Sequence, residues 1–212
     1  MGRRSLPKID PSVSLAQHLT LLDDLEPPLD PQSLFASQQP LEVEVGSGKG
    51  LFLLTHSQSN PDRNYLGIEL AKQYARFAAY RLAKQERFNA HMVSGDGLSL
   101  FRSFLPTGCA SDVHVYFPDP WWKERHRRRR VMRPEFIHDI GKVLRDDGVF
   151  HFWTDVEQYF DETIELMRQH SELSGPFEVE PLAAEHDMDY RTHFERRMRK
   201  GGHDVFRAQF RN

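Results

Sequence analysis

Between Leu41 and Thr154 the sequence alternates short β-rich runs with stretches of helical periodicity, and that alternation admits few folds. LEVEV (41–45), NYLGIEL (64–70), AHMVS (90–94), DVHVYF (112–117) and VFHFWT (149–154) read as strands. Helical patterns separate them: residues 50–57, a stripe of Tyr74, Ala78 and Leu82, and Phe136, Ile140 and Val143/Leu144 behind a Pro134 suited to a first helical turn. Thr154 and Glu157 have capping-box spacing ahead of Val156, Phe160, Ile164 and Met167. Strands joined through helices pair in parallel by right-handed crossovers, which predicts a doubly wound, mostly parallel α/β sheet. FEVE (177–180) and DVFRAQF (204–210) follow with no helix read between them, predicting a C-terminal antiparallel hairpin and seven strands in all. Residues 1–33, rich in Pro and Leu, read as an N-terminal arm with room for one short helix and for flexibility, ahead of a domain over 34–212.

The chain has 212 residues, enough for one full-sized domain, and no apolar run approaches the ~20 residues of a membrane span. MGRRSLPKID lacks an apolar segment behind its basic residues, so no secretory signal and no membrane partner are expected. A single cysteine, Cys109, excludes an internal disulfide and a multi-cysteine zinc site, and the expectation is a cytoplasmic protein without a metal. Nothing in the sequence sets an oligomeric state. The net charge of −3 argues mildly against a nucleic-acid partner, but the distribution reverses that inference. Residues 121–133 carry +6 and residues 190–212 carry +5, against −14 for the rest. Two basic islands on an acidic body suit a phosphate backbone.

The first strand runs into E-V-G-S-G-K-G, with Gly46, Gly48 and Gly50. Such a loop permits a tight turn and close backbone approach to a ligand, but it is neither the full dinucleotide fingerprint nor a Walker loop. Acids surround it. Glu44 lies in the first strand, Glu69 closes the second where a carboxylate takes ribose hydroxyls, and Asp96 follows the third in S-G-D-G, where it also reads as a helix cap. Carboxylates around a Gly loop fit a partly cationic ligand such as S-adenosylmethionine better than a bare pyrophosphate. The fourth strand ends in F-P-D-P-W-W-K-E-R-H-R-R-R-R (117–130), placing Asp119 at the carboxyl end of the sheet, where ligands bind. A carboxylate there can hold the Watson–Crick edge of guanine and an indole can stack on a base, although core packing is expected of at least one of Trp121 and Trp122.

With these blocks in place the sequence resembles the bacterial tRNA (guanine-N7-)-methyltransferases, the TrmB-type family, from about Leu34 to the C-terminus. The resemblance rests on L-E-V-E-V-G-S-G-K-G, N-Y-L-G-I-E, G-D-G, F-P-D-P-W with its basic tail, and T-H-F-E-R-R (192–197). It implies a class I, Rossmann-like methyltransferase that uses S-adenosylmethionine to methylate N7 of a guanine in the variable loop of tRNA, at position 46. It assigns cofactor contacts to Glu44, Gly46, Glu69, Asp96 and Asp119, with Asp119 also the catalytic residue. It assigns substrate contacts to Lys123, Asp155, Thr192, His193, Phe194 and Glu195. Three positions depart from the family pattern: Trp122 replaces the usual Pro, Glu124 a common basic residue, and His193 the usual Lys. If His193 meets phosphate, RNA affinity should vary with pH near neutrality. Rival readings are an amino-methyltransferase on another RNA base, an NAD-dependent oxidoreductase and a non-catalytic RNA-binding module. The GxGxG spacing, the basic tail and the full set of acids each weigh against one of them.

Overall fold

The computed structural model describes residues 6–181 and 187–212. The expected strands are β2 (Leu41–Val45), β3 (Asn64–Glu69), β4 (Ala90–Ser94), β5 (Ala110–Tyr116), β6 (Leu144–Thr154), β7 (Ser174–Glu178) and β8 (Phe206–Arg211), preceded by a short β1 (Leu19–Leu21). The helices are α1 (Leu51–Ser59), α2 (Lys72–Lys84), the single turn α3 (Gly97–Ser99), α4 (Pro134–Val143), α5 (Glu157–His170) and α6 (His193–Lys200). The sheet order is β1-β4-β3-β2-β5-β6-β8-β7, parallel except that β8 runs antiparallel to both β6 and β7. The order reverses between β2 and β5, so the loops leaving these two strands flank one crevice at the carboxyl edge.

The central strands are buried on both faces. One face packs Val43, Val113, Val115 and Phe152 against Phe136, Ile140 and Ile164. The other packs Tyr65, Met92, Tyr116 and Trp153 against Phe52, Leu53 and Ala78.

Four expectations are corrected. The sheet has eight strands rather than seven, because β1 from the N-terminal arm pairs in parallel with β4, and Leu22 and Leu29 behind it are buried in the core. Three residues are too few for a readable alternation. A helix, α6, lies between the last two strands. It escapes an apolar-periodicity search because its one fully buried residue is Glu195. Thr192-x-x-Glu195 has capping-box spacing, and the Thr192 side chain accepts from the Glu195 N–H at 2.9 Å. By contrast, Thr154 and Glu157 form no box: Thr154 Oγ1 accepts from Val156 N–H, and α5 starts at Glu157. Finally, neither Trp121 nor Trp122 enters the core; Trp153 does.

Candidate active site

The Gly loop is locked between strands. Gly46 and Ser47 donate to the Ile68 carbonyl at 2.8 and 3.2 Å. Gly46 has φ +82°, a left-handed conformation that glycine adopts without strain. Gly50, at φ +67°, precedes α1 directly, and a Cβ on it would stand 2.7 Å from Ala78 Cβ. Glu69 braces the loop from β3, accepting from Gly48 N–H at 2.9 Å and Ala71 N–H at 2.8 Å. A carboxylate offers about four acceptor sites, so two remain for hydroxyl donors.

Glu44 is 3% exposed, and its Oε2 has no partner among the described residues. Burial pushes its carboxyl up to about 8, with the nearby charge of Glu69 acting in the same direction. An unpaired buried carboxylate oxygen beside a Gly loop fits a cationic group. Asp96 is exposed and caps α3 through Leu98 N–H and the Ser99 hydroxyl. It also lines a cavity of about 470 Å³ at the ends of β3 and β4, walled by Leu22 and Leu25 on one side and Leu70 and Lys72 on another. The N-terminal arm therefore forms part of this wall.

Across the crevice, Asp119 is exposed in a turn held at both ends. Phe117 N–H donates to the Trp153 carbonyl at 2.7 Å, and Arg130 Nε donates to the Pro120 carbonyl at 2.7 Å. Phe117 and Trp121 take φ +51° and +44°, conformations that bulky residues hold only when their surroundings impose them. The reversal at Trp121 separates the two indoles. Trp121 lies edge-on to His126 with the Arg129 guanidinium 5.2 Å from its ring, whereas Trp122 is 64% exposed. Residues Glu124–Arg129 form an exposed 3-10 turn, which Lys123 precedes. Arg130 differs from its neighbours: it pairs with Glu162 and covers the Tyr159 ring at 4.6 Å.

The second basic island packs beside the Asp119 turn. Phe194 of α6 packs on Phe117 at 5.0 Å, and Arg197 covers Phe194 at 4.5 Å. His193 faces Arg81, whose Nη1 also donates to the Lys49 carbonyl in the Gly loop. Burial first, and then the positive charge of Arg81, hold His193 down to about 4. Both causes disfavour a charged imidazole at His193 in the free chain. Glu195, expected to face the substrate, is 2% exposed, and its carboxylate accepts from Arg191 N–H, Arg199 and Arg207. It braces the segment from within. Asp155 is half-buried just past the end of β6, beside the Asp119 turn. Sequence reasoning missed Arg81 and Arg191. Arg191, next to the Thr192-x-x-Glu195 box, was within reach of that signal; nothing local marks Arg81.

Beneath the crevice, Asp112, His114 and His151 bring ligand-type atoms within 4.8 Å of one another. Each is already engaged: His151 with Asp112 at 3.0 Å and Gln209 at 3.2 Å, His114 with Glu42 at 2.9 Å and Tyr116 at 2.8 Å.

Among the described residues no helix is long and apolar enough to cross a membrane. In the solved structures, the fold is similar to an aminoglycoside resistance methyltransferase, NpmB1 (TM-score 0.58, 18% identity, 83% of this chain and 88% of that one). It is also similar to a SAM-dependent methyltransferase from Aquifex aeolicus (TM-score 0.56, 12% identity, 86% and 93%). Residues 38–208 match a family described as "Putative methyltransferase". A tRNA (guanine-N(7)-)-methyltransferase of Rhodopirellula baltica is 47% identical, covering 100% of this chain and 80% of the relative. One from Actinobacillus pleuropneumoniae is 34% identical, covering 89% and 76%. With its Gly loop, its Asp119 turn and its two basic islands drawn to one edge of a methyltransferase fold, the chain belongs to the tRNA (guanine-N(7)-)-methyltransferase family.

Proposed function

We propose that this chain methylates N7 of a guanine in tRNA, at position 46 of the variable loop, with S-adenosylmethionine as donor and in the cytoplasm. The relationship to the Rhodopirellula baltica protein carries this reading. The meeting of the Asp119 turn with α6 through Phe117 and Phe194 supports it.

Glu44, Gly46, Glu69 and Asp96 hold the cofactor. The unpaired Glu44 oxygen faces the cationic amino-acid end, Glu69 keeps acceptor sites for ribose hydroxyls, and the cavity beside Asp96 takes the base. The cofactor supplies an electrophilic methyl group on sulfur. Guanine N7 presents an in-plane lone pair and no proton, so this chain needs to align and desolvate the base rather than deprotonate it. Asp119 holds the guanine edge and stabilises the positive charge that N7 gains. Lys123, Arg125 and Arg128 are exposed and meet phosphates, and Asp155, Thr192, His193 and Phe194 line the approach. Glu195 contributes by holding α6.

Unmodified tRNA incubated with methyl-labelled cofactor should acquire label that chemical cleavage specific for N7-methylguanosine locates at position 46. A transcript with adenine at that position should stay unlabelled. Label elsewhere would overturn the positional assignment. Asp119→Asn should retain measurable activity with little pH dependence near 7, and complete loss of turnover with tRNA and cofactor binding intact would show that Asp119 does more than orient and stabilise.

A further inference from the structure

A line of buried hydrogen bonds runs from the middle of the sheet to the start of α6. Arg63 Nη1 and the Tyr65 hydroxyl donate to Glu42 Oε1 at 3.0 and 3.3 Å. Glu42 Oε2 meets His114 Nε2 at 2.9 Å, His114 Nδ1 meets the Tyr116 hydroxyl at 2.8 Å, and Arg191 Nη1 donates to that hydroxyl at 3.0 Å. Glu42, His114 and Tyr116 are 8%, 1% and 6% exposed.

The direction of each bond follows from the ends. A guanidinium only donates, so the Tyr116 oxygen accepts from Arg191 and its proton points to His114 Nδ1. His114 is then the neutral Nε2–H tautomer, which donates to Glu42. Burial, with the neighbouring charge of His151, holds its pKa well below the usual histidine value, consistent with that neutral form. Both Glu42 oxygens, both His114 nitrogens and the Tyr116 hydroxyl are partnered along the line, while Arg191 Nε has no partner among the described residues.

Arg191 is where the line leaves the sheet. Its guanidinium lies 5.1 Å from the Trp153 ring and 5.9 Å from Tyr116, and its backbone N–H donates to Glu195 Oε2 at 2.8 Å. Thr192, the cap of α6, is the next residue. On the other side, Tyr116 is followed by Phe117, which packs on Phe194, and then by Pro118 and Asp119. Two successive residues at the end of β5 thus hold this segment, Tyr116 by a hydrogen bond to Arg191 just ahead of the α6 cap and Phe117 by a ring on Phe194.

We propose that Tyr116 and Arg191, backed by His114 and Glu42, are positioning residues that hold residues 192–195 in register with the Asp119 turn for tRNA. This rests on the reading above that residues 192–194 meet tRNA. Tyr116→Phe removes the shared hydroxyl, and Arg191→Lys keeps the charge but gives up the fork.

The test measures turnover of the full chain with varied tRNA and varied S-adenosylmethionine, S-adenosylhomocysteine binding by calorimetry, and melting temperature. Each variant should lower kcat/KM for tRNA roughly 10- to 100-fold, the scale of a hydrogen bond to a charged group, while S-adenosylhomocysteine affinity stays within about twofold. The double variant should be no worse than the poorer single one, because both remove the same bond. Unchanged tRNA kinetics in either single variant, a multiplicative double variant, or equal losses in tRNA turnover and S-adenosylhomocysteine binding would overturn the proposal. Phe194→Ala separates the two levels of inference. If it weakens tRNA kinetics while Tyr116→Phe and Arg191→Lys do not, the positioning line is refuted and the substrate segment stands. If it leaves them unchanged, the substrate segment is refuted and the positioning role with it.

Discussion

Arg128 and Arg130 are two residues apart in one basic run, and the structure gives them opposite work. Arg128 is exposed, with no ion pair or ring contact among the described residues. Arg130 has a side chain 11% exposed, paired with Glu162, hydrogen-bonded to the Pro120 carbonyl and stacked over Tyr159. Burial pushes the Glu162 carboxyl upward, yet Arg130 holds it below the usual carboxylate range. Arg130→Met keeps the apolar stem and removes all three interactions. A half-shielded ion pair contributes about 1 kcal/mol, a charged hydrogen bond to a carbonyl about 1.5 and a cation–π contact about 0.5, together about 3 kcal/mol. For a chain of this size that lowers Tm by roughly 6–12 °C. Turnover should fall as well, since the Pro120 anchor of the Asp119 turn is lost. Arg128→Ala should leave Tm unchanged, weaken tRNA binding, and reduce the slope of log affinity against log salt by about 1. Thermal denaturation and tRNA binding across a salt series read both effects. If Arg130→Met melts like the parent protein and flattens the salt slope as Arg128→Ala does, Arg130 is a phosphate ligand and the structural assignment fails.

Three further outcomes follow from the same geometry. His56, His91 and His193 are each held down to about 4, mainly by burial, whereas an unfolded chain takes up these protons near 6.5. Their contribution to stability is complete above pH 6.5 and is lost as pH falls toward 4. Urea midpoints should decline through that window, less steeply in His91→Gln, and a flat profile would contradict the burial argument. Glu44 sits near 8 in the free protein, so binding a cationic amino-acid end expels its proton. S-adenosylhomocysteine affinity should drop about tenfold per pH unit below 8, and Glu44→Gln should abolish that dependence; an unchanged slope in the variant assigns it elsewhere. Trp122→Ala should raise the KM for tRNA roughly tenfold through a lost base stack, with Trp122→Phe close to the parent protein and Tm unmoved. Equal KM values for the three proteins would remove Trp122 from the RNA surface.

Much of the parallel sheet is legible locally because a buried strand announces itself residue by residue. LEVEV and AHMVS coincide with β2 and β4, and the turn signals of the Gly loop and the F-P-D-P segment fall at the ends of β2 and β5. What escaped lacked an apolar period. Strand β1 has three residues, and its stability comes from β4. Helix α6 buries a carboxylate, satisfied by Arg199 four residues ahead and Arg207 twelve residues away. Glu195 was therefore legible as a member of a motif but not as an internal brace, since its burial depends on partners that periodicity does not report.

From sequence alone, the strand–helix alternation gave a doubly wound sheet, the motifs carried the methyltransferase resemblance, and the charge layout showed acids around the Gly loop apart from two basic islands. Residue chemistry and strand-ending turns are local properties, readable one segment at a time. The tertiary structure alone decided which arginines are exposed and which are paired, turned Trp122 outward and Trp121 back, set His193 against Arg81, and tied the residue ahead of the α6 cap to the sheet through Tyr116. Those outcomes depend on desolvation and on partners up to 112 residues apart, and neither exists until the chain has folded.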